Sequence, residues 1–170
     1  MSYNSLLSFG DLIPLKIRCD VKKLFSEVKD FKYLQYNPRK DIKRYGLSIT
    51  SLDGNMDGVD LDSIKEYNKE NNTEYDELSF QAFTSVYYES QEIQKITEPF
   101  LGHIGRSHIL HLPEGGYFPP HRDLPVYVEQ QNSLRVLVPL KGCNPPDMYF
   151  MYEDKPLHFE HGRAYFLNTN

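Results

Sequence analysis

The segment Pro119-Pro120-His121-Arg122-Asp123 sets an imidazole and a carboxylate two residues apart. On extended backbone that spacing sends both side chains to one side, where a ring nitrogen and a carboxylate oxygen can share one metal ion. Such a pair is two-thirds of a 2-His-1-carboxylate facial triad, which leaves adjacent positions on iron(II) open to substrate and dioxygen. Taken alone, an HxD triplet is weak, since in an arbitrary sequence it usually marks a surface turn.

Three other groups of residues invite chemistry and fall short of it. His121-Arg122-Asp123-Leu124 overlaps the catalytic loop of protein kinases, but Val128 stands where that loop needs a metal-binding Asn. The chain carries neither the glycine-rich loop nor the DFG of a kinase. His103, His108 and His111 crowd one strand-like run; alternation puts His103 and His111 on one face and His108 on the other, so the three cannot converge on one ion. Core or hydrogen-bonded histidines fit that run better, with His111 left able to line a pocket. In DGNMDG, Asp53, Asn55, Asp57 and Gly58 match the opening of an EF-hand loop, yet the twelfth position, which must give a bidentate carboxylate, is Ile64. A turn-rich acidic loop is the expectation.

Helices and strands must position these groups. Residues 11–18 (DLIPLKIR) read as a strand, followed by Asp20 as N-cap of the amphipathic VKKLFSEVKDF, whose Val21, Leu24, Phe25 and Val28 share a face. YGLSITSL at 45–52 reads as a strand, and the acidic stretch from Asp53 to Glu77 as a solvated loop and helix. SQEIQKITEPFL reads as a second helix with Ser90 as cap, Ile93, Ile96 and Thr97 toward the core, and Pro99 near its end. Beyond it HIGRSHILHL, SLRVLVPL, DMYFMYED, KPLHFEH and GRAYFL are short strand-like runs between turns such as PEGG and GCNPP. Helices first and closely spaced strands afterward predict a mainly β, α+β chain: a sandwich or barrel buttressed by N-terminal helices. No internal repeat is present.

ILHLPEGGYFPPHRD, then SLRVLVPL, then GRAYFLN, occur in the order seen in the Fe(II)/2-oxoglutarate-dependent oxygenases, and residues 103–170 resemble the aspartyl/asparaginyl β-hydroxylase-like branch that includes proline hydroxylases. The resemblance implies a double-stranded β-helix, the jelly-roll of cupin-like proteins, over 102–170, with residues 1–101 packed on it in a single domain of 1–170. It implies His121 and Asp123 as metal ligands for iron(II) and Arg135 as a group binding a carboxylate of 2-oxoglutarate. It also implies the use of dioxygen, decarboxylation of 2-oxoglutarate to succinate, and hydroxylation of an amino acid or amino-acid side chain.

Alternation along SLRVLVPL agrees with part of this, placing Leu134, Val136, Val138 and Leu140 on one face and Arg135 with Leu137 on the other. A buried Arg135 needs an anion, either a dicarboxylate cosubstrate or a protein acid such as Asp123. In the family a distal His follows the GRAYFLN block by several residues and an Arg lies on the next strand, which here is past Asn170, so the core is expected without its closing strand. His158 and His161 in KPLHFEHGR are read as structural or exposed, His161 being the nearer substitute. Tyr117, Phe118, Tyr127 and the acidic loop are candidates for the pocket entrance. The alternative is a non-catalytic jelly-roll binding module that has lost the iron site; another cupin-type metalloenzyme would need several histidines converging on the metal.

Composition sets outer bounds. One domain is the prior for 170 residues, and 39% apolar and 14% aromatic residues fit a globular chain. A formal charge of −5 gives no overall attraction to nucleic acid or to an anionic membrane, leaving a small molecule or peptide as partner. Cys19 and Cys143 make no disulfide framework and no zinc pattern. There is no signal-peptide pattern and no apolar run of membrane-spanning length, so the Asn71-Asn72-Thr73 sequon carries little weight. A cytoplasmic protein is the expectation.

Overall fold

The computed structural model describes residues 5–6, 8–35, 41–61, 63–121 and 134–168. In chain order the elements are β1 (Leu12–Arg18), α1 (Val21–Val28), β2 (Leu34–Gln35), β3 (Tyr45–Ser48), β4 (Thr50–Ser51), α2 (Ile64–Asn71), β5 (Ala82–Phe83), α3 (Ser85–Glu89), α4 (Gln91–Thr97), β6 (His108–His111), β7 (Arg135–Leu137), β8 (Phe150–Tyr152), β9 (Lys155–Leu157) and β10 (Arg163–Leu167). Every pairing among the described strands is antiparallel, which makes the class α+β. The described strands form small sheets in the orders β1-β10-β7, β2-β3-β6, β4-β5 and β8-β9, with no closed barrel among them. No helix among the described residues is long and apolar enough to cross a membrane. The chain divides into two compact units, Met1–Lys23 with His121–Asn170, and Leu24–Pro120.

The first unit is built around β10. Ala164, Tyr165, Phe166 and Leu167 are all buried, a consecutive run that fits a strand covered on both faces and flanked by β1 and β7. Pro14 has no N–H to give, and it sits on β1, which among the described residues pairs on one side only. Gly162 begins β10 at φ +79°, and a Cβ there would lie 2.6 Å from the Cys19 carbonyl oxygen, whose own N–H donates to the Gly162 carbonyl at 2.8 Å. Phe159 packs edge-to-face between Phe150 and Tyr165 at 5.5 and 5.3 Å. The Asn144 side chain brackets the Phe159 backbone, accepting from its N–H at 2.7 Å and donating to its carbonyl at 2.9 Å.

The second unit buries Leu24, Val28, Leu47, Leu61, Phe80, Val86, Ile93 and Ile109. Asp20 caps α1 as its position predicts, accepting from Lys23 N–H at 3.1 Å, and Leu24 and Val28, four apart, form the buried edge of that helix. Ser90 caps α4 by accepting from Ile93 N–H at 3.2 Å. Its hydroxyl proton goes to Glu27 of α1 at 2.6 Å, and the same carboxylate oxygen accepts the Glu92 N–H at 3.1 Å. A carboxylate from one helix thus satisfies the open N–H end of another, where negative charge is also favoured by the helix dipole. After Thr97 the chain passes through Pro99 in a 3-10 turn, Glu98–Phe100, and α4 ends there. β6, at the start of the strand-rich part of the sequence, lies against β3.

Ser90→Ala is expected to lower the unfolding free energy by about 1–2 kcal/mol in urea titrations. Because Ser90 and Glu27 serve one helix end, Glu27→Ala added to it will cost less than the sum of the single changes, whereas strict additivity would mean the two act separately.

Candidate functional site

His121 is exposed and is the last described residue before residue 134; Asp123 lies outside the described residues, as does Tyr127. Arg135 opens β7 opposite Leu167 of β10. It is exposed rather than buried, a correction to the reading from strand alternation, and Leu134 beside it is exposed as well. Burial on this strand deepens only from Val136 onward, so alternation over three paired residues is too short a guide to which face is covered. Among the described residues no group of three or more His, Cys, Asp or Glu side chains could hold a metal ion. Those residues alone therefore do not fit a three-ligand iron centre. His158 and His161 are exposed, and His161 Nε2 accepts the Cys143 N–H at 3.5 Å.

The histidine run is divided in use. His103 is exposed in the turn after Phe100, with its N–H on the Phe100 carbonyl. His111 is exposed at the end of β6, with the Tyr33 and Tyr45 rings 5.8 and 6.4 Å away. Tyr33 is partly covered there, and burial pushes its hydroxyl above the ordinary tyrosine value. Tyr117 is exposed, and Phe118 lies over the guanidinium of buried Arg44 at 4.6 Å. Gly116 passes so close to the Lys43 carbonyl that no Cβ fits, which is why PEGG needs its second glycine.

His108 leads to the most constrained polar group in the second unit. The β3–β6 register sets Ser48 directly opposite His108 and Gly46 opposite Leu110. Residues 46 and 48 share a face of β3, and both are small. A 3-10 turn, Val59–Leu61, lies against that face: a Cβ at Gly46 would overlap the Leu61 side chain. Asp60 in the same turn is fully buried. Its Oδ1 accepts from Ser48 Oγ at 2.5 Å, and its Oδ2 lies 3.9 Å from His108 Nδ1. Arg106 donates to the Asp60 main-chain carbonyl at 3.2 Å, while its Nε pairs with Glu77 at 2.8 Å.

The acidic stretch is therefore not uniformly solvated, since Asp60 is turned inward while Asp53 and Asp57 stay exposed. Asp53 accepts from Asn55 N–H at 2.9 Å and from the Asn55 side chain at 2.7 Å, and these bonds hold its exposed carboxyl below the usual range. Asp57 accepts from Val59 N–H at 3.0 Å. Both carboxylates are spent on closing local turns, with Gly54 and Gly58 at positive φ beside them. Burial drives Asp60 the other way, to about 6, against the opposing pull of the Ser48 hydroxyl and Arg106.

No protein-family model, curated protein or solved structure matches the chain. Candidate chemistry rests on these residues themselves. Ser48 has one proton and spends it on Asp60, so it is not a hydroxyl activated by His108, and the group has no order of nucleophile, base and orienting acid. What Ser48, Asp60 and His108 can do is hold and exchange a proton. Gly46 and Ser48 were the signal for it, because small residues at alternate positions of a strand mark a face approached closely by another segment.

Arg106→Gln removes the cation serving both Glu77 and the Asp60 turn. It should destabilise the protein by about 2 kcal/mol at neutral pH, and by less in acid where Asp60 carries a proton, measured by denaturant titration at both pH values. An equal cost at both would show that Arg106 does not act on Asp60.

Proposed function

We propose that the chain is a cytoplasmic Fe(II)/2-oxoglutarate-dependent dioxygenase with a jelly-roll core, hydroxylating an amino acid or an amino-acid side chain in a small molecule or peptide. In this reading His121 and Asp123 ligate iron and Arg135 holds a carboxylate of 2-oxoglutarate. The observation that carries it is the order of three sequence blocks, ILHLPEGGYFPPHRD, SLRVLVPL and GRAYFLN. Support from the fold is that the strands bearing the second and third blocks, β7 and β10, are hydrogen-bonded neighbours in one sheet. His121 belongs to the same compact unit as both.

Arg135 is suited to its part by chemistry. A guanidinium is charged at every working pH and offers parallel N–H donors that match a carboxylate, which an ammonium cannot do. It stands exposed at the start of β7. The donor set among the described residues falls short of three ligands, so no reaction step is assigned to the metal.

A second reading is a binding module on the same fold without iron chemistry, and the exposure of Arg135 favours it. Iron(II) binding by calorimetry and succinate formation with ascorbate, 2-oxoglutarate and a panel of amino acids separate the two. The oxygenase binds iron, loses it in His121→Ala, and in Arg135→Lys keeps iron while its KM for 2-oxoglutarate rises more than its kcat falls. Absence of both iron binding and 2-oxoglutarate turnover, coupled or uncoupled, overturns the enzymatic reading.

A further inference from the structure

We propose that Asp60 and His108 are a buried proton-binding couple that fastens the 53–61 loop to the β3–β6 ladder when it holds a proton and loosens the loop when that proton leaves. The inference concerns the second unit and does not depend on the iron reading. Its basis is geometric. Asp60 has no exposed surface, and its Oδ2 makes no hydrogen bond among the described residues. His108 Nδ1 lies 3.9 Å from it, beyond hydrogen-bond length. A proton on Oδ2 lets the two close into an O–H···N bond and makes the buried carboxyl neutral, while its loss leaves a fully buried charge with at most the Ser48 hydroxyl and one neutral imidazole N–H to meet it.

Among the described residues Oδ2 has no hydrogen-bond partner, and Arg106 favours the charged form electrostatically. Arg106 reaches the Asp60 carbonyl, but its Nε is committed to Glu77. Asp57, in the same loop, repels a second negative charge. β3 presents the Ser48 hydroxyl, β4 is Thr50 and Ser51, and the first turn of α2 carries exposed Lys65 and half-buried Glu66. His108 is therefore the titratable group from β6 facing the carboxyl. The loop is also built to move as a piece. Its Asp53–Asn55 and Asp57–Val59 bonds are internal, and among the described residues its outward ties include the Asp60 contacts, the Gly54 N–H to Ser51 Oγ at 2.8 Å, the Ser85 hydroxyl to Met56 Sδ at 3.4 Å, and the packing of Leu61.

The sign follows from the direction of the Asp60 shift. Its carboxyl is raised, to about 6, so the fastened loop binds more protons than the released one. The fastening is complete below the ordinary carboxylate value and is lost as pH rises through about 6.

Amide hydrogen exchange of the intact chain at about pH 5 and about pH 8, corrected for intrinsic rates, reads this opening directly. Opening of the 53–61 amides should rise by about tenfold to a hundredfold between the two, while α4 changes little. Asp60→Asn should remove the difference. Ser48→Ala, which deletes a bond favouring the charged form, should move the midpoint to higher pH. Equal loop protection at both pH values in the wild type, a pH response that survives in Asp60→Asn, or a midpoint unmoved or lowered in Ser48→Ala would each overturn the proposal.

Discussion

A carboxylate taken wholly out of water must be met by donors or by a proton, because an unmatched buried charge costs several kcal/mol (~2–5). Asp60 imposes that requirement on the second unit, and the strands around it are arranged accordingly. Its Oδ1 takes the Ser48 hydroxyl, while the carbonyl of Ser48 accepts from Thr84 Oγ1 at 2.7 Å. Thr50 Oγ1 donates to the Gly105 carbonyl at 3.0 Å and accepts the Ser107 N–H at 2.8 Å, which fixes the turn carrying Arg106 toward Asp60. Gly105 itself lies so near the Glu77 carbonyl that a Cβ would sit 2.8 Å from it. Small and hydroxylated residues at Gly46, Ser48, Thr50, Thr84 and Gly105 are thus one solution to one problem: bringing a polar turn into a strand interior with its groups paired.

The first unit obeys a simpler rule. β10 is apolar enough to be covered on both faces, and β1, β7 and the aromatic contacts of Phe159 and Tyr165 are what cover and flank it. Its polar ties lie at the start of that strand. Glu160 binds the Arg18 guanidinium and is approached by Arg163 at 3.5 Å, and the paired cation holds its exposed carboxyl below the usual range. The functional reading belongs to this unit, with His121 and Arg135 both on its exposed surface. An anion-binding arginine needs access more than burial, so exposure removes one argument for the cosubstrate without removing its chemistry.

Local signals were legible in the sequence wherever a single residue type does one job. Asp20 and Ser90 cap helices from the positions their side chains favour, Pro99 falls where α4 stops, and Gly162 stands where only a glycine fits the Cys19 backbone. Pairings over long separations were not legible. Nothing in DLIPLKIR announces that β1 will lie on β10, and HILH does not reveal that its partner is β3. Asp60 shows the limit most clearly, since charge counting over 53–77 averages it with acids such as exposed Asp53 and Asp57 that share its chemistry but not its position. Arg135 shows the converse: a strand of three paired residues does not determine which of its faces is covered.

The most direct test of this account is the titration of the Asp60 carboxyl itself, followed by its 13Cγ resonance in the intact, selectively labelled chain. A midpoint near the value of about 6 set by burial, reported also by the His108 ring resonances, is the predicted result. A midpoint in the ordinary carboxylate range, with His108 insensitive to it, would mean that Asp60 is hydrated and would contradict the account.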